Sequence, residues 1–138
     1  MKIHVKERSI MAEAVIGIGI DIIEVIRLRK LIEKWGDSFS CWVFTKKELS
    51  SVHAKVNKYQ HLAGIFAVKE AIFKATGGSG IGFKDMEIFN DKTDKPYCKF
   101  RNNKAQNITI NVSISYVKNY VIANAIATKK TRLSQSIQ

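Results

Sequence analysis

Residues 66–80 read FAVKEAIFKATGGSG, a helix that runs straight into a glycine-rich loop. Leu62, Ile65, Phe66, Ile72 and Phe73 recur at helical spacing and form one apolar stripe. Lys69 falls in the middle of that stripe, where an ammonium is costly unless paired. On the flank, Ala63, Gly64, Ala67 and Ala71 make a face of small residues that another backbone or a ligand can approach closely. Glu70 and Lys74, one turn apart, border that face, and Gly77, Gly78 and Gly80 follow. An acid and a base beside such a gap suggest a metal and phosphate site. An ordinary surface ion pair ahead of a glycine C-cap accounts for the same residues, and the segment alone does not choose.

Upstream, Ala14 to Ile20 is a short apolar run containing Gly17 and Gly19, which reads as a buried strand where backbones pack closely. A helix follows from about Glu24 to Trp35, its outer side carrying Arg27, Lys30 and Lys34, and Gly36 ends it. Thr45 to Glu48 is a capping box opening a short helix through about Val52, and the long helix spans about Lys58 to Thr76. Downstream, Phe83 to Phe89 and Tyr97 to Arg101 read as strands around the turn DKTDKP. Ile108 to Ser115 alternates strictly between apolar and polar residues, the pattern of a half-buried strand, and Tyr120 to Thr128 reads as the last strand. Helices first and antiparallel strands after predict one α+β domain over 14–128. Residues 1–13 are expected to be an extension that can be disordered, and 129–138 a polar, frayed tail.

The chain has 138 residues, of which 46% are hydrophobic, which excludes a disordered polymer. No apolar run approaches the ~18 residues a membrane span needs. The first residues, MKIHVKERSIMAEA, carry charges throughout, unlike a secretory leader, and Met11 is a second candidate start. Cys41 and Cys98 fit reduced thiols of a cytoplasmic protein. Lys and Arg number 23 against 12 acids, a net charge of +11, which predicts an anionic partner. Nucleic acid is one such partner, although no nucleic-acid module pattern is present.

Asp21 and Glu70 are the acids of interest. If they meet, two carboxylates with open coordination positions suit Mg²⁺ bound also to phosphate oxygens. The competing reading makes Asp21 an acid at the N-terminus of the following helix. His4, His53 and His61 have no partners at suggestive spacing and read as surface residues, and Ser113 and Ser115 lie on the polar face of their strand. The glycines match no Walker A pattern.

Taken in order, these pieces resemble the holo-acyl-carrier-protein synthases, small bacterial phosphopantetheinyl transferases. The signature G-I-G-x-D-I-V-E appears as Gly17-Ile-Gly-Ile-Asp-Ile-Ile-Glu24, and F-A-x-K-E-A-x-x-K-A-x-G-x-G runs from Phe66 to Gly80. Phe44-Thr-Lys-Lys-Glu-Leu49, Phe83 to Ile88, Asp94-Lys-Pro96 and Val112 to Tyr116 match further motifs. The resemblance implies the phosphopantetheinyl transferase fold, with N-terminal helices on an antiparallel sheet and strands meeting at the core of a homotrimer. It implies transfer of 4′-phosphopantetheine from coenzyme A to a serine of apo acyl carrier protein, releasing 3′,5′-ADP, for fatty acid biosynthesis. Asp21 and Glu70 match the Mg²⁺ ligands, Lys74 a lysine at the pyrophosphate, and Lys69 the helix lysine beside the metal ligand. Lys69, Lys74, Gly77, Gly80, Ser115 and Tyr116 fall at coenzyme-binding positions. Arg27 and Lys34 match basic residues that grip the carrier, with Lys30 on the same face. The proton acceptor for the serine is either Glu70 or a water on the metal.

The chain also departs from the pattern. Ile65 stands where the family has arginine and Tyr116 where it has histidine, both contacts of the coenzyme's 3′-phosphate, so donor affinity is expected to be altered. Lys55, Lys58 and Lys118 are candidate substitutes. Ile20 and Asp94 are milder departures. Two alternatives remain: a degenerate member that binds carrier or coenzyme A without chemistry, and a basic nucleic-acid-binding domain.

Overall fold

A computed structural model describes residues 8–78, 80–101 and 103–135, with side chains described except at 8, 9, 104 and 133–135. Strand β1 (Arg8–Glu24) leads into three short helices, α1 (Val25–Trp35), α2 (Asp37–Val43) and α3 (Lys46–Val52), and then into the long α4 (Lys58–Thr76). A 3₁₀ turn at Phe83–Asp85 precedes the hairpin β2 (Met86–Asn90) and β3 (Pro96–Phe100). Strands β4 (Ile108–Tyr116) and β5 (Tyr120–Gln135) complete a three-stranded sheet in the order β1-β5-β4, antiparallel at both joints. The expected α+β arrangement of helices on an antiparallel sheet is present.

Helix α4 sits between the sheet and the other helices, which is why it is apolar nearly all round. Toward the sheet it presents Ala63, Ala67, Ala71 and Ala75, all buried, against a β5 face of Val121, Ala123, Ala125 and Ala127, also buried. Toward the helices it presents Leu62, Phe66, Ile72 and Phe73. Phe66 lies 6.2 Å from Phe39 and 5.8 Å from Phe83, and Phe73 lies 4.9 Å from Phe83, ring centre to ring centre. The small-residue face therefore receives a backbone rather than a ligand.

That backbone is β1. A Cβ placed on Gly19 would lie 1.8 Å from the Ala71 carbonyl oxygen, and one on Gly17 would lie 1.8 Å from that of Ala75. Only glycine permits this approach.

Several boundaries differ from those read in the sequence. Strand β1 starts at Arg8 and β5 runs to Gln135, and the two pair from Arg8↔Gln135 to Glu24↔Tyr120. Residues 8–13 and 129–135 thus lie in strands, while 1–7 and 136–138 lie outside the described residues. Asp21 pairs with Ala123 inside β1, three residues before the N-cap of α1, so the helix-terminus reading of it fails. Helix α2 was not foreseen, because DSFSCWV is too short to show a period. The capping box at Thr45 and the bounds of α4 agree with the sequence reading.

Gly19→Ala should cost stability at or beyond the upper end of about 1–3 kcal/mol, because the obstacle is backbone and cannot rotate away. Urea unfolding checks this. A loss below that range would mean that β1 and α4 are not in contact through backbone.

Candidate active site

From Gly17 onward the odd residues of β1 face α4. Gly17 and Gly19 sit where the helix touches, and Asp21, one pleat further, points at the same helix near Glu70 and Lys74. Lys74 Nζ donates to the Ile20 carbonyl at 2.8 Å and to Asp21 Oδ1 at 3.3 Å. Glu70 holds its proton more tightly than an ordinary glutamate, first through burial and then through the negative charge of Asp21, with Lys74 opposing both. Asp21, Glu70, Arg27, Glu24, Phe66 and Tyr120 line one cleft of about 410 Å³. The three residues singled out for catalysis therefore converge, and Arg27 lies in the same cleft. Phe66 and Tyr120 as walls were not foreseen.

The donor set fits a divalent cation. Two carboxylates that repel one another are relieved by a positive ion between them, and hard oxygen ligands suit Mg²⁺. Among the described residues no group of three or more metal-ligating side chains gathers anywhere. A cation held here would draw its remaining ligands from water and phosphate, as Mg²⁺ commonly does.

Lys69 is elsewhere. Its side chain is fully buried, donating to Glu48 Oε1 at 2.6 Å and to the Val43 carbonyl at 2.8 Å. Glu48 Oε1 also accepts from the Thr45 amide, closing the capping box, and Oε2 accepts from the Ile88 amide. Burial lowers the Lys69 pKa, and the Glu48 charge opposes that. Lys69 thus ties α4 to α3 and β2. As a coenzyme-binding residue it is corrected, since no part of it reaches solvent or the cleft. The 21 positions separating the pair left no periodic trace of it in the sequence.

Gly77 caps α4 at φ +71°, and Gly78 and Gly80 also have positive φ, one turn beyond Lys74. Lys30 and Lys34 are exposed on α1 with Arg27, and Lys34 Nζ lies 5.1 Å from the centre of the Trp35 indole. Ser115 faces outward from the sheet opposite Ile122 and lines neither cleft described here.

Tyr116 and Ile65 line a second cleft, of about 280 Å³, with Lys47, Lys55, His61 and Asn90. The Tyr116 hydroxyl lies where a side chain at Gly64 would meet it, so the ring as placed uses the space that glycine leaves. Burial and then Lys55 lower the pKa of His61, which is half-buried 6.3 Å from the Tyr116 ring rather than on the open surface. Lys58 and Lys118 line a different hollow, beside Tyr59. Asp94 adopts φ +63°, a conformation that favours glycine, with Asn90 Nδ2 donating to its carboxylate at 3.1 Å.

A sequence model described as the 4′-phosphopantetheinyl transferase superfamily matches residues 17–125. The chain belongs to that superfamily. The holo-[acyl-carrier-protein] synthase of Fusobacterium nucleatum is 42% identical over 121 residues, covering 81% of this chain and 98% of its own. That of Halothermothrix orenii is 41% identical, covering 78% and 92%. Among solved structures, the Bacillus anthracis synthase in complex with CoA (3′,5′-ADP) superposes with a TM-score of 0.72 at 31% identity, covering 83% of this chain and 97% of its own. The Helicobacter pylori synthase in complex with coenzyme A gives 0.72 at 28%, covering 80% and 98%.

Two outcomes separate the two lysines of α4. Lys69→Met leaves the Glu48 carboxylate buried without its countercharge and should cost about 3–5 kcal/mol in urea unfolding. Lys74→Met, at the exposed pair with Asp21, should cost less than about 1 kcal/mol. Glu70 provides a second check. Its folded pKa lies above its unfolded value near 4.5, so it costs stability as pH rises through that window. Metal-free Glu70→Gln should therefore melt above the wild type at pH 7, with the gap closing near pH 4.

Proposed function

We propose that the chain is a Mg²⁺-dependent holo-acyl-carrier-protein synthase. It moves 4′-phosphopantetheine from coenzyme A to a serine hydroxyl of apo acyl carrier protein and releases 3′,5′-ADP. The observation that carries this reading is the convergence of Asp21, Glu70 and Lys74, the two acids lining one cleft and Lys74 bonded to Asp21 beside it.

Asp21 and Glu70 would hold the metal. Bound Mg²⁺ supplies charge neutralisation at the diphosphate as its bridge breaks. Lys74 is already held at this place by the Ile20 carbonyl and Asp21, and its ammonium offsets charge building on the departing oxygen. Gly77 and Gly80 leave the adjoining backbone open to phosphate. Arg27, Lys30 and Lys34 give α1 a basic face for the acidic carrier, with lysine at the last position keeping charge without the bidentate fork. The +11 charge is then used on coenzyme phosphates and carrier rather than on nucleic acid.

We read the protein as a homotrimer whose donor site is shared between subunits. Ile18, Ile20 and Ile22 of β1, beside Ile122 and Ile126 of β5, form an exposed apolar face on the side of the sheet away from α4, which favours self-association. The pyrophosphate end would lie at Asp21 and Glu70 of one subunit. The 3′-phosphate end would lie with Tyr116, and Ser115 beside it, of the neighbour. Of the candidate substitutes for the missing arginine and histidine, Lys55 shares the cleft with Ile65 and Tyr116, together with Lys47 and His61. We place the enzyme in fatty acid biosynthesis and in the cytoplasm, a reducing compartment that suits its free Cys41 and Cys98. Among the described residues no helix is long and apolar enough to cross a membrane.

A second reading rests on Ile65 and Tyr116: a member that binds carrier or coenzyme A without chemistry. Mass spectrometry of apo carrier incubated with coenzyme A and Mg²⁺ separates the two. The mass of phosphopantetheine should appear on the carrier, and carrier binding with no mass gain would favour the second reading. Asp21→Asn and Glu70→Gln should each slow transfer by about a hundredfold or more. Lys55→Ala should raise KM for coenzyme A about tenfold and leave 3′-dephospho-coenzyme A unaffected. Equal effects on both donors would remove Lys55 from the 3′-phosphate site.

A further inference from the structure

The superfamily match begins at residue 17 and ends at 125, and the Fusobacterium nucleatum synthase is covered over 98% of its length by 81% of this chain. Residues before 17 and after 125 lie outside the superfamily match, and the structure pairs these two ends with each other. Pairing of β4 with β5 stops at Ile108↔Lys129. Beyond it, Glu13↔Lys130 through Arg8↔Gln135 stand as a ribbon of two strands. Val15, Met11 and Ile10 are 62%, 59% and 43% exposed, so nothing among the described residues covers them. An uncovered two-stranded ribbon is at best marginally stable in water.

Phase along the strands says what covers it. On β5, Ile122 and Ile126 point away from α4, and their opposites Ile22 and Ile18 share that face. The register shifts between Val15 and Gly17, leaving Ile16 unpaired. After the shift Val15 lies opposite Thr128, Glu13 opposite Lys130 and Met11 opposite Arg132. These β5 residues keep the parity of Ile122 and Ile126. The bulge thus holds Val15 and Met11 on the same side as Ile18, Ile20 and Ile22, whereas uninterrupted alternation would have turned them to the other side. One apolar face runs from Ile22 to Met11. Near its end it becomes self-complementary in charge, with Glu13 opposite Lys130, and Glu13 also accepting from Thr109 Oγ1 at 3.5 Å.

We infer that this terminal ribbon extends the self-association face and packs against a second copy of the same chain. The inference rests on the homo-oligomeric reading above and adds a segment to it. A second copy is favoured over an anionic partner because the face offers Glu13, Val15 and Met11 along with its cations. In a symmetric assembly each copy can set its Glu13 against Lys130 or Arg132 of a neighbour.

Sedimentation velocity of the full chain over a concentration series tests this with Val15→Lys and Met11→Lys. Ile20→Lys serves as a probe of the central face and Thr131→Lys, opposite Ala12 on the other side of the ribbon, as a control. Each ribbon-face variant should raise the concentration for half-dissociation about tenfold or more, and Thr131→Lys should not. A wild type that is monomeric throughout overturns the homo-oligomeric reading and this inference with it. An oligomer that Ile20→Lys dissociates but Val15→Lys and Met11→Lys leave intact overturns the ribbon alone, as does an equal effect of Thr131→Lys. Hydrogen exchange gives a measurement free of substitutions: amide protection of 8–14 and 129–135 should rise with protein concentration, and protection independent of concentration would count against the ribbon contact.

Discussion

The backbone approach of β1 to α4 at Gly17 and Gly19 is the constraint from which the rest of the molecule follows. With the carbonyls of Ala71 and Ala75 occupying the space of two missing Cβ atoms, the strand lies against the helix at the closest distance side-chain chemistry allows. Asp21 is the first residue on that side of the strand to carry a functional group, and it emerges where Glu70 and Lys74 leave the buried face of the helix. The alanines of α4 and β5 extend the same close packing across the sheet. A bulkier residue at any of these positions would lift the helix and separate the carboxylates. Geometry at the site is thus fixed by residues with no chemistry of their own.

The opposite side of α4 is held by a different force. Lys69 and Glu48 form a fully buried ion pair whose carboxylate also accepts from two backbone amides, in α3's cap and in β2. A pair of this kind is weak evidence for net stability, because desolvation offsets much of the attraction. Its effect is on arrangement: a single side chain meets three elements, and each would leave a buried polar group unsatisfied if it moved. Five residues along the helix, the exposed Lys74 bonds to Asp21 instead. The same ammonium therefore serves packing at one position and, on the proposed reading, chemistry at the other, and burial separates the two.

This division explains what was legible in the sequence. The helix from Lys58 to Thr76, the capping box at Thr45 and the alternating strand at Ile108 were readable because each is specified by local periodicity or local chemistry. Asp21 and Glu70 were recognisable as candidates, but their meeting depends on the two glycines, and no spacing rule connects residues so far apart. The partner of Lys69 was hidden for the same reason, behind a Glu48 that already had a complete local explanation. The lengths of β1 and β5 were missed because RSIMAEA and KKTRLSQ are polar enough to read as ends, and each becomes a strand only by pairing with the other. His61 looked like a surface residue because its neighbour Tyr116 arrives from a distant strand.

The second cleft shows how two departures from a family pattern can be one structural event. Ile65 and Tyr116 are 51 positions apart, yet they line the same cavity, and the Tyr116 ring occupies space above Gly64, the residue immediately before Ile65. An arginine at 65 would bring a guanidinium into a wall already partly filled by a phenol, and a histidine at 116 would leave part of that space open. The isoleucine and the tyrosine therefore complement one another as shapes, while Lys47 and Lys55 bring positive charge to the cavity from α3 and the segment before α4. On the proposed reading, charge at this cleft comes from Lys47 and Lys55 rather than from positions 65 and 116. Such a change preserves attraction for an anion while giving up the directional hydrogen bonds that distinguish one phosphate position from another.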